Sequence, residues 1–164
     1  MADLDLVHGW MHQPHVVPFW RLDLPRTELA TYLTGATGDD HQDVLIGSVH
    51  GWPVSYWEVY WAQRDPLAVH YDAQPYDQGV HLLIGPPERT GRGLGRRLLS
   101  SLVAWQFARD ARTTHVVAEP DIRNERVHRT FAACGFEARG EIDLPDKRAL
   151  LMICDRDRLG DGRR

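Results

Sequence analysis

Residues Gly79 to Phe107 read GVHLLIGPPERTGRGLGRRLLSSLVAWQF. Val80 to Ile84 is a short apolar run, the pattern of a buried strand. Pro86 and Pro87 stop it. A glycine- and arginine-rich turn follows, Gly91-Arg92-Gly93-Leu94-Gly95-Arg96. Leu94, Leu98, Leu99, Leu102, Val103 and Phe107 then share one stripe of a helix. The order is strand, glycine turn, helix. A helix opens with unpaired N–H groups and the positive end of its dipole. Glycine lets the backbone approach a ligand closely and accepts positive φ. With Arg89, Arg92, Arg96 and Arg97 alongside, the stretch predicts a cradle for a pyrophosphate. It is neither a Walker loop, since Lys-Ser/Thr is absent, nor a G-x-G-x-x-G dinucleotide turn. A plain strand-to-helix connection with solvated arginines is the competing reading.

The 164 residues fit one domain, 1–164, with residues 155–164 read as a frayed tail. Apolar residues make up 43% and charged residues 26%, an ordinary globular balance. A net charge of −4 argues against a nucleic-acid surface. Cys134 and Cys154 lie in apolar contexts, as reduced thiols of a cytoplasmic protein would, and neither has metal-ligand spacing around it. No metal is expected. The first ten residues lack the apolar stretch of a signal peptide, and no run approaches a membrane span.

Upstream, Asp3 or Asp5 caps a helix to about His12, and Pro25 starts another to about Leu33. Between them lies an aromatic cluster, Trp10, His12, His15, Phe19 and Trp20, interrupted by prolines. It suits a pocket wall or an aromatic plug on the core. Gly35 to Gln42 reads as a polar turn. Val44 to Val49 and Val54 to Trp61 form a hairpin around His50-Gly51-Trp52-Pro53. On the return strand Tyr56, Glu58 and Tyr60 share a face, a carboxylate between two phenols that suits an ammonium or hydroxylamine-bearing ligand. A solvent-facing strand surface is the alternative. Gln63 to Gln78 is polar and aperiodic, with Tyr76 and Asp77 among its acids and phenols. Such a loop fits a cationic partner, or is simply solvated.

His81 interrupts the apolar strand. An imidazole there is either structural or a proton acceptor. His115 to Glu119 reads as the next parallel strand, and Asp121 follows Pro120 at its carboxyl end, where ligands sit in open α/β sheets. Asp121 could orient His81, hold an amine or cap the helix that follows. That helix, Arg123 to Ala133, ends at Gly135, and Glu137 to Asp143 pairs with Ala149 to Cys154 in a last hairpin.

Arg92-Gly93-Leu94-Gly95 entering a helix resembles the acyl-CoA pyrophosphate loop of the GNAT N-acetyltransferase superfamily. Glu119-Pro-Asp-Ile-Arg-Asn124, Ala133-Cys-Gly-Phe136 and the closing hairpin are similar to its later elements. Where the family often has Gln or Arg ahead of the loop glycines, this chain has Thr90. Trp10-Met-His-Gln-Pro-His-Val16 and the stretch from Tyr56 to Gly85 resemble the siderophore branch, the lysine and hydroxylysine N-acyltransferases of aerobactin and mycobactin type.

The resemblance implies an α/β acyltransferase fold. Its central mixed, largely antiparallel sheet is flanked by helices and splayed at the cofactor, with the first strand missing or short. It implies acetyl-CoA or another acyl-CoA as co-substrate, held by Leu82, Leu83, Ile84, Arg89, Arg92, Gly93, Leu94, Gly95, Arg96 and Asn124. It implies direct transfer to an amine, with His81 as base and Asp121 beside it, and backbone N–H groups near Leu82 and Ile84 polarising the thioester. Trp10, His15, Trp20, Glu58, Tyr60, Tyr76 and Asp77 would contact a small-molecule amine. The superfamily's leaving-group tyrosine is replaced by Phe131, so no phenolic acid is expected. Cys134 is expected in the core, not as a nucleophile. The protein would be a monomer or homodimer, with no nucleic-acid or membrane partner. Rival readings are an aminoglycoside 6′-N-acetyltransferase and a non-catalytic CoA-binding module.

Overall fold

The structure is a computed structural model that describes residues 3–157. Its helices are α1 (Leu4–Met11), α2 (Val17–Trp20), α3 (Arg26–Gly38), α4 (Leu94–Arg109) and α5 (Glu125–Ala132). Its strands are β1 (Gln42–Val49), β2 (Trp52–Trp61), β3 (Gln78–Ile84), β4 (His115–Ala118), β5 (Glu137–Asp143) and β6 (Arg148–Asp155). The strands form a mixed six-stranded sheet in the order β1-β2-β3-β4-β6-β5. The expected parallel pair is present, with Gln78 opposite Val116 and Gly79 opposite Val117. β4–β6 and β6–β5 are antiparallel. Among the described residues the first strand is β1, after three helices.

Within the span read as one domain, two compact units are distinguishable. One takes in the chain up to Val59 together with Leu82–Leu94. Its core joins Leu4, Val7, Trp10 and Met11 of α1 to Leu29 and Leu33 of α3, with Tyr56 and Leu83. Those helix positions recur every three to four residues, which puts them on one buried stripe. The other unit takes in Tyr60–His81 and the chain from Gly95 onward. There Tyr60, Ala62, Leu67, Val117, Leu151 and Ile153 form the core.

Four expectations need correcting. α3 runs on to Gly38, so the first half of the polar turn read at 35–42 is helix; the Thr31, Thr34 and Thr37 hydroxyls of α3 bond back to carbonyls one turn earlier. β2 is buried from Val54 through Tyr60, so neither of its faces is a solvent surface. The loop after β2 is not featureless: it makes two short 3-10 turns, Ala62–Arg64 and Pro66–His70, with Asp65 capping the second through Leu67 N–H at 2.9 Å. The tail does not begin at residue 155. Asp155 ends β6, and the Arg156 guanidinium donates to the carbonyls of Thr113 (2.7 Å), Phe107 (2.9 Å) and Asp110 (2.7 Å). The rest of the predicted tail, 158–164, lies outside the described residues.

Candidate active site

The glycine turn has the backbone that its sequence requires. Gly91 and Gly93 adopt φ of 71° and 76°, and α4 starts at the next residue, Leu94. Nothing lies within 4 Å of where a Cβ on Gly93 would sit, so conformation rather than crowding calls for glycine there. Pro87–Arg89 form a single 3-10 turn ahead of it, closed by the Thr90 hydroxyl donating to Pro87 O at 2.8 Å. The positive-φ glycines, the first turn of a 16-residue helix and the arginines on either side suit a diphosphate. The donor set therefore fits the nucleotide end of coenzyme A.

In the same unit, the aromatic cluster from Trp10 in α1 to Trp20 in α2 is largely a plug. Trp10 is buried, and a Cβ on Gly85 would lie 2.1 Å from its Cδ2, so the residue after β3 must be glycine for this indole to seat. Trp20 meets the Tyr56 ring edge-on at 5.4 Å. His15 Nε2 lies 2.8 Å from Ile84 O. A carbonyl only accepts, so Nε2 carries the proton and His15 fixes the end of β3. Glu58 is buried, and its Oε1 accepts from Tyr32 and Tyr56, each at 2.8 Å. Burial, then the charge of Glu58, raises both phenols far above their ordinary range, so they remain donors. The carboxylate does lie between two phenols, but they are Tyr56 and Tyr32 of α3; the Tyr60 hydroxyl, expected beside Glu58, donates to Glu119.

In the other unit, His81 Nε2 bonds Glu119 Oε1. Glu119 directly follows β4 and is only 4% exposed. Tyr60 donates to its other oxygen at 2.6 Å, and Lys147 Nζ lies 3.4 Å from Oε1. Burial alone would push the Glu119 carboxyl up; the charge and hydrogen bond of His81, with Lys147 and Tyr60, outweigh it and hold the group down at about 2. Glu119 is thus an anion at neutral pH. Tyr60 is pushed up by burial and then by Glu119, and stays a phenol. It packs tilted against the imidazole with ring centroids 5.0 Å apart, and a Cβ on Gly79 would lie 2.0 Å from its Cζ. Glycine at 79 therefore leaves room for the phenol that buttresses the carboxylate.

Other expected residues fall elsewhere. The Asp121 carboxylate accepts from Arg123 N–H (2.9 Å) and pairs with the Arg123 guanidinium (2.8 and 2.7 Å). His81 bonds Glu119, two residues before Asp121. Nor does Asp121 cap the helix: α5 is capped by Asn124, whose Oδ1 accepts from Val127 N–H at 3.3 Å. Asp77 is fully buried, and its carboxylate accepts from Tyr71, Gln74 N–H, Thr114 and both the backbone and ring N–H of His115, all within 3.2 Å. Its role is to tie the loop to β4. Tyr76 is at the surface with the Arg112 guanidinium 3.7 Å over its ring. Phe131 is buried edge-on against Phe136 and offers no proton. Cys134 is half-buried rather than in the core as expected, and that burial pushes its thiol up. No group of three or more metal-ligating side chains occurs among the described residues, nor any helix long and apolar enough to cross a membrane.

Sequence reasoning missed Glu119 and Lys147. A glutamate ending a buried strand before proline was the available signal for the first. Nothing local marks the second.

The sequence matches the acetyltransferase (GNAT) domain family over residues 1–144. It is 36% identical to the lysine N-acyltransferase MbtK of Mycolicibacterium paratuberculosis, over 94% of this chain and 70% of that one. It is 37% identical to the N-hydroxyputrescine acetyltransferase of Acinetobacter baumannii, over 95% of this chain and 74% of that one. Among solved structures, an uncharacterized Bacillus halodurans protein superposes with TM-score 0.95 at 41% identity, covering 98% of this chain and 82% of that one. Aminoglycoside acetyltransferase AAC(6′)-Ib with coenzyme A and kanamycin gives TM-score 0.89 at 25% identity, over 99% of this chain and 95% of that one. The chain belongs to the GNAT acetyltransferase family. Its class is that of an acyl-CoA-dependent N-acyltransferase, as the glycine turn and the resemblance led one to expect.

Proposed function

We propose that this protein acylates the side-chain or terminal nitrogen of a lysine-like, N-hydroxylysine or diamine substrate, using acetyl-CoA or a related acyl-CoA, in siderophore assembly. The observation that carries the reading is the bond between His81, within β3, and the buried Glu119, which directly follows β4. The names of the relatives, a lysine N-acyltransferase and an N-hydroxyputrescine acetyltransferase, support the amine class.

Acyl-CoA supplies an activated thioester carbonyl. The N–H groups opening α4, with Arg89, Arg92, Gly93, Leu94, Gly95 and Arg96, hold its diphosphate, and the backbone of Leu82, Leu83 and Ile84 lines its arm. His15 steadies that strand through the Ile84 carbonyl. Glu119 accepts the His81 Nε2 proton and so sets the tautomer whose Nδ1 lone pair takes the proton released by the amine. A hydroxylamine is less often protonated at neutral pH than an alkylamine and asks less of that base. The Glu58 carboxyl, reached from the surface through Tyr32, favours a substrate with a cationic end. Asn124 and Asp121 shape the turn between β4 and α5.

The test is thiol release from acetyl-CoA in the presence of lysine, N6-hydroxylysine, cadaverine, N-hydroxyputrescine and kanamycin. Turnover on the lysine or hydroxylamine set with none on kanamycin supports the reading. Turnover on kanamycin alone makes it an aminoglycoside enzyme. Coenzyme A binding without turnover on any amine makes it a binding module.

A further inference from the structure

The hairpin joining β5 and β6 carries two adjacent cations that behave oppositely. Arg148 turns outward to Glu141, both well exposed. Lys147 turns inward. Its backbone closes the turn, with Leu144 N–H donating to Lys147 O at 2.8 Å, yet its side chain is only 16% exposed. A lysine in a hairpin turn ordinarily keeps its ammonium in water. This one ends 3.4 Å from Glu119 Oε1, the same oxygen that takes His81 Nε2.

Two cationic or potentially cationic groups therefore share one carboxylate oxygen. Their charges decide the resting state of the imidazole. A buried carboxylate beside a histidine favours the imidazolium, which cannot accept a proton. A permanent ammonium on the same oxygen neutralises the carboxylate first. Adding an imidazolium would then leave a net positive charge in a buried site, which is unfavourable. Of the other groups, Asp65 opposes Lys147 in sign and acts on Tyr60, while Tyr60 itself carries no charge. Tyr60 on β2 is a neutral donor, and the neighbours acting on it, Asp65 and Tyr71, are a carboxylate and a neutral phenol.

Building on the acyltransfer reading, we propose that Lys147 is a positioning residue that keeps His81 neutral at physiological pH and so available as the base. Lys147 does not touch the reacting atoms; it acts through Glu119. The hairpin thereby sets the pH at which the enzyme becomes competent.

The measurement is the pH profile of kcat/KM for Lys147→Met and Lys147→Arg beside the wild type. In Lys147→Met the acid limb moves to higher pH by about 1–3 pH units, the span expected when an opposite charge acts unopposed at this range. The loss at neutral pH is recovered in alkaline buffer. Lys147→Arg keeps the wild-type limb. An unmoved limb, or a loss in Lys147→Met equal at every pH, overturns the proposal. NMR titration of the His81 imidazole, assigned with His81→Gln, gives a readout that needs neither turnover nor a known amine. Its midpoint lies lower in the wild type than in Lys147→Met; equal midpoints overturn the proposal even if the enzyme is active. Separated midpoints in a protein that acylates no amine would instead count against the acyltransfer reading alone. Should Lys147→Met not fold, Glu119→Gln serves: the His81 midpoint then falls below that of the wild type, and a rise overturns the argument.

Discussion

His81, like His115, has a buried carboxylate partner, and what sets it apart is the further company of that carboxylate. His81 is given an ionised, deeply buried carboxylate that is itself held by a phenol and an ammonium. Such an arrangement fixes a tautomer and tunes a charge, both of which a base requires. Removing the imidazole by His81→Ala should lower kcat by roughly 10²–10⁴ on an alkylamine such as lysine. The loss should be smaller on N6-hydroxylysine, whose nitrogen is less basic. Comparing kcat for the two acceptors checks this; equal losses would mean that His81 contributes packing only. At this scale the sequence was informative about His81, because a polar ring in an apolar run stands out. It was incomplete about its partner. Asp121 drew attention as an acid just past a strand end, while Glu119, two residues earlier, also bonds the ring. Tyr60 and Lys147 lie 59 and 28 positions from Glu119, and pairings of that separation leave no local trace.

At the scale of elements, what was legible depended on period and punctuation. β3, β4 and the β5–β6 hairpin were placed within two residues because apolar runs ended at prolines, glycines or charge clusters. α3 overran its predicted end because its glycines stand late in a helix whose threonines satisfy carbonyls locally, so composition alone signalled a loop. Asp77 was read as a substrate contact because acids in a polar loop look solvated; five hydrogen bonds to the protein's own donors instead consume it. In the glycine turn the expected backbone is present, with positive φ at Gly91 and Gly93. It yields a clean prediction. With open space around its Cβ direction, Gly93→Ala pays only the left-handed backbone penalty, about 1–2 kcal/mol. If the turn must hold this shape to bind diphosphate, the KM for acetyl-CoA rises roughly 5- to 30-fold with kcat nearly unchanged. Initial-rate kinetics at saturating amine test it, and a fall in kcat at constant KM would assign the turn another role.

Across the whole molecule, stability and pH are linked through the same carboxylate that serves the site. Glu119 gathers Tyr60 of β2, His81 of β3 and Lys147 of the last hairpin onto one group. Burial works against its ionisation, and the three partners overcome that and bring it from 4.5 down to about 2. The sign follows from proton counts. Between those two values the unfolded chain binds a proton at this site and the native protein does not, so stability falls as pH falls. The contribution is complete above pH 4.5, is lost progressively towards about 2, and is on the order of 3 kcal/mol. Protonating Glu119 removes the carboxylate charge that His81 and Lys147 share. Thermal melts of the wild type and Glu119→Gln at pH 7, 5, 4 and 3 provide the check. Glu119→Gln is the less stable protein at pH 7, because its amide cannot neutralise Lys147, and the two melting temperatures draw together as the pH drops. Curves that stay parallel from pH 7 to 3 would mean that the carboxylate carries no such linkage, and the charge balance assigned to His81, Glu119 and Lys147 would have to be redrawn.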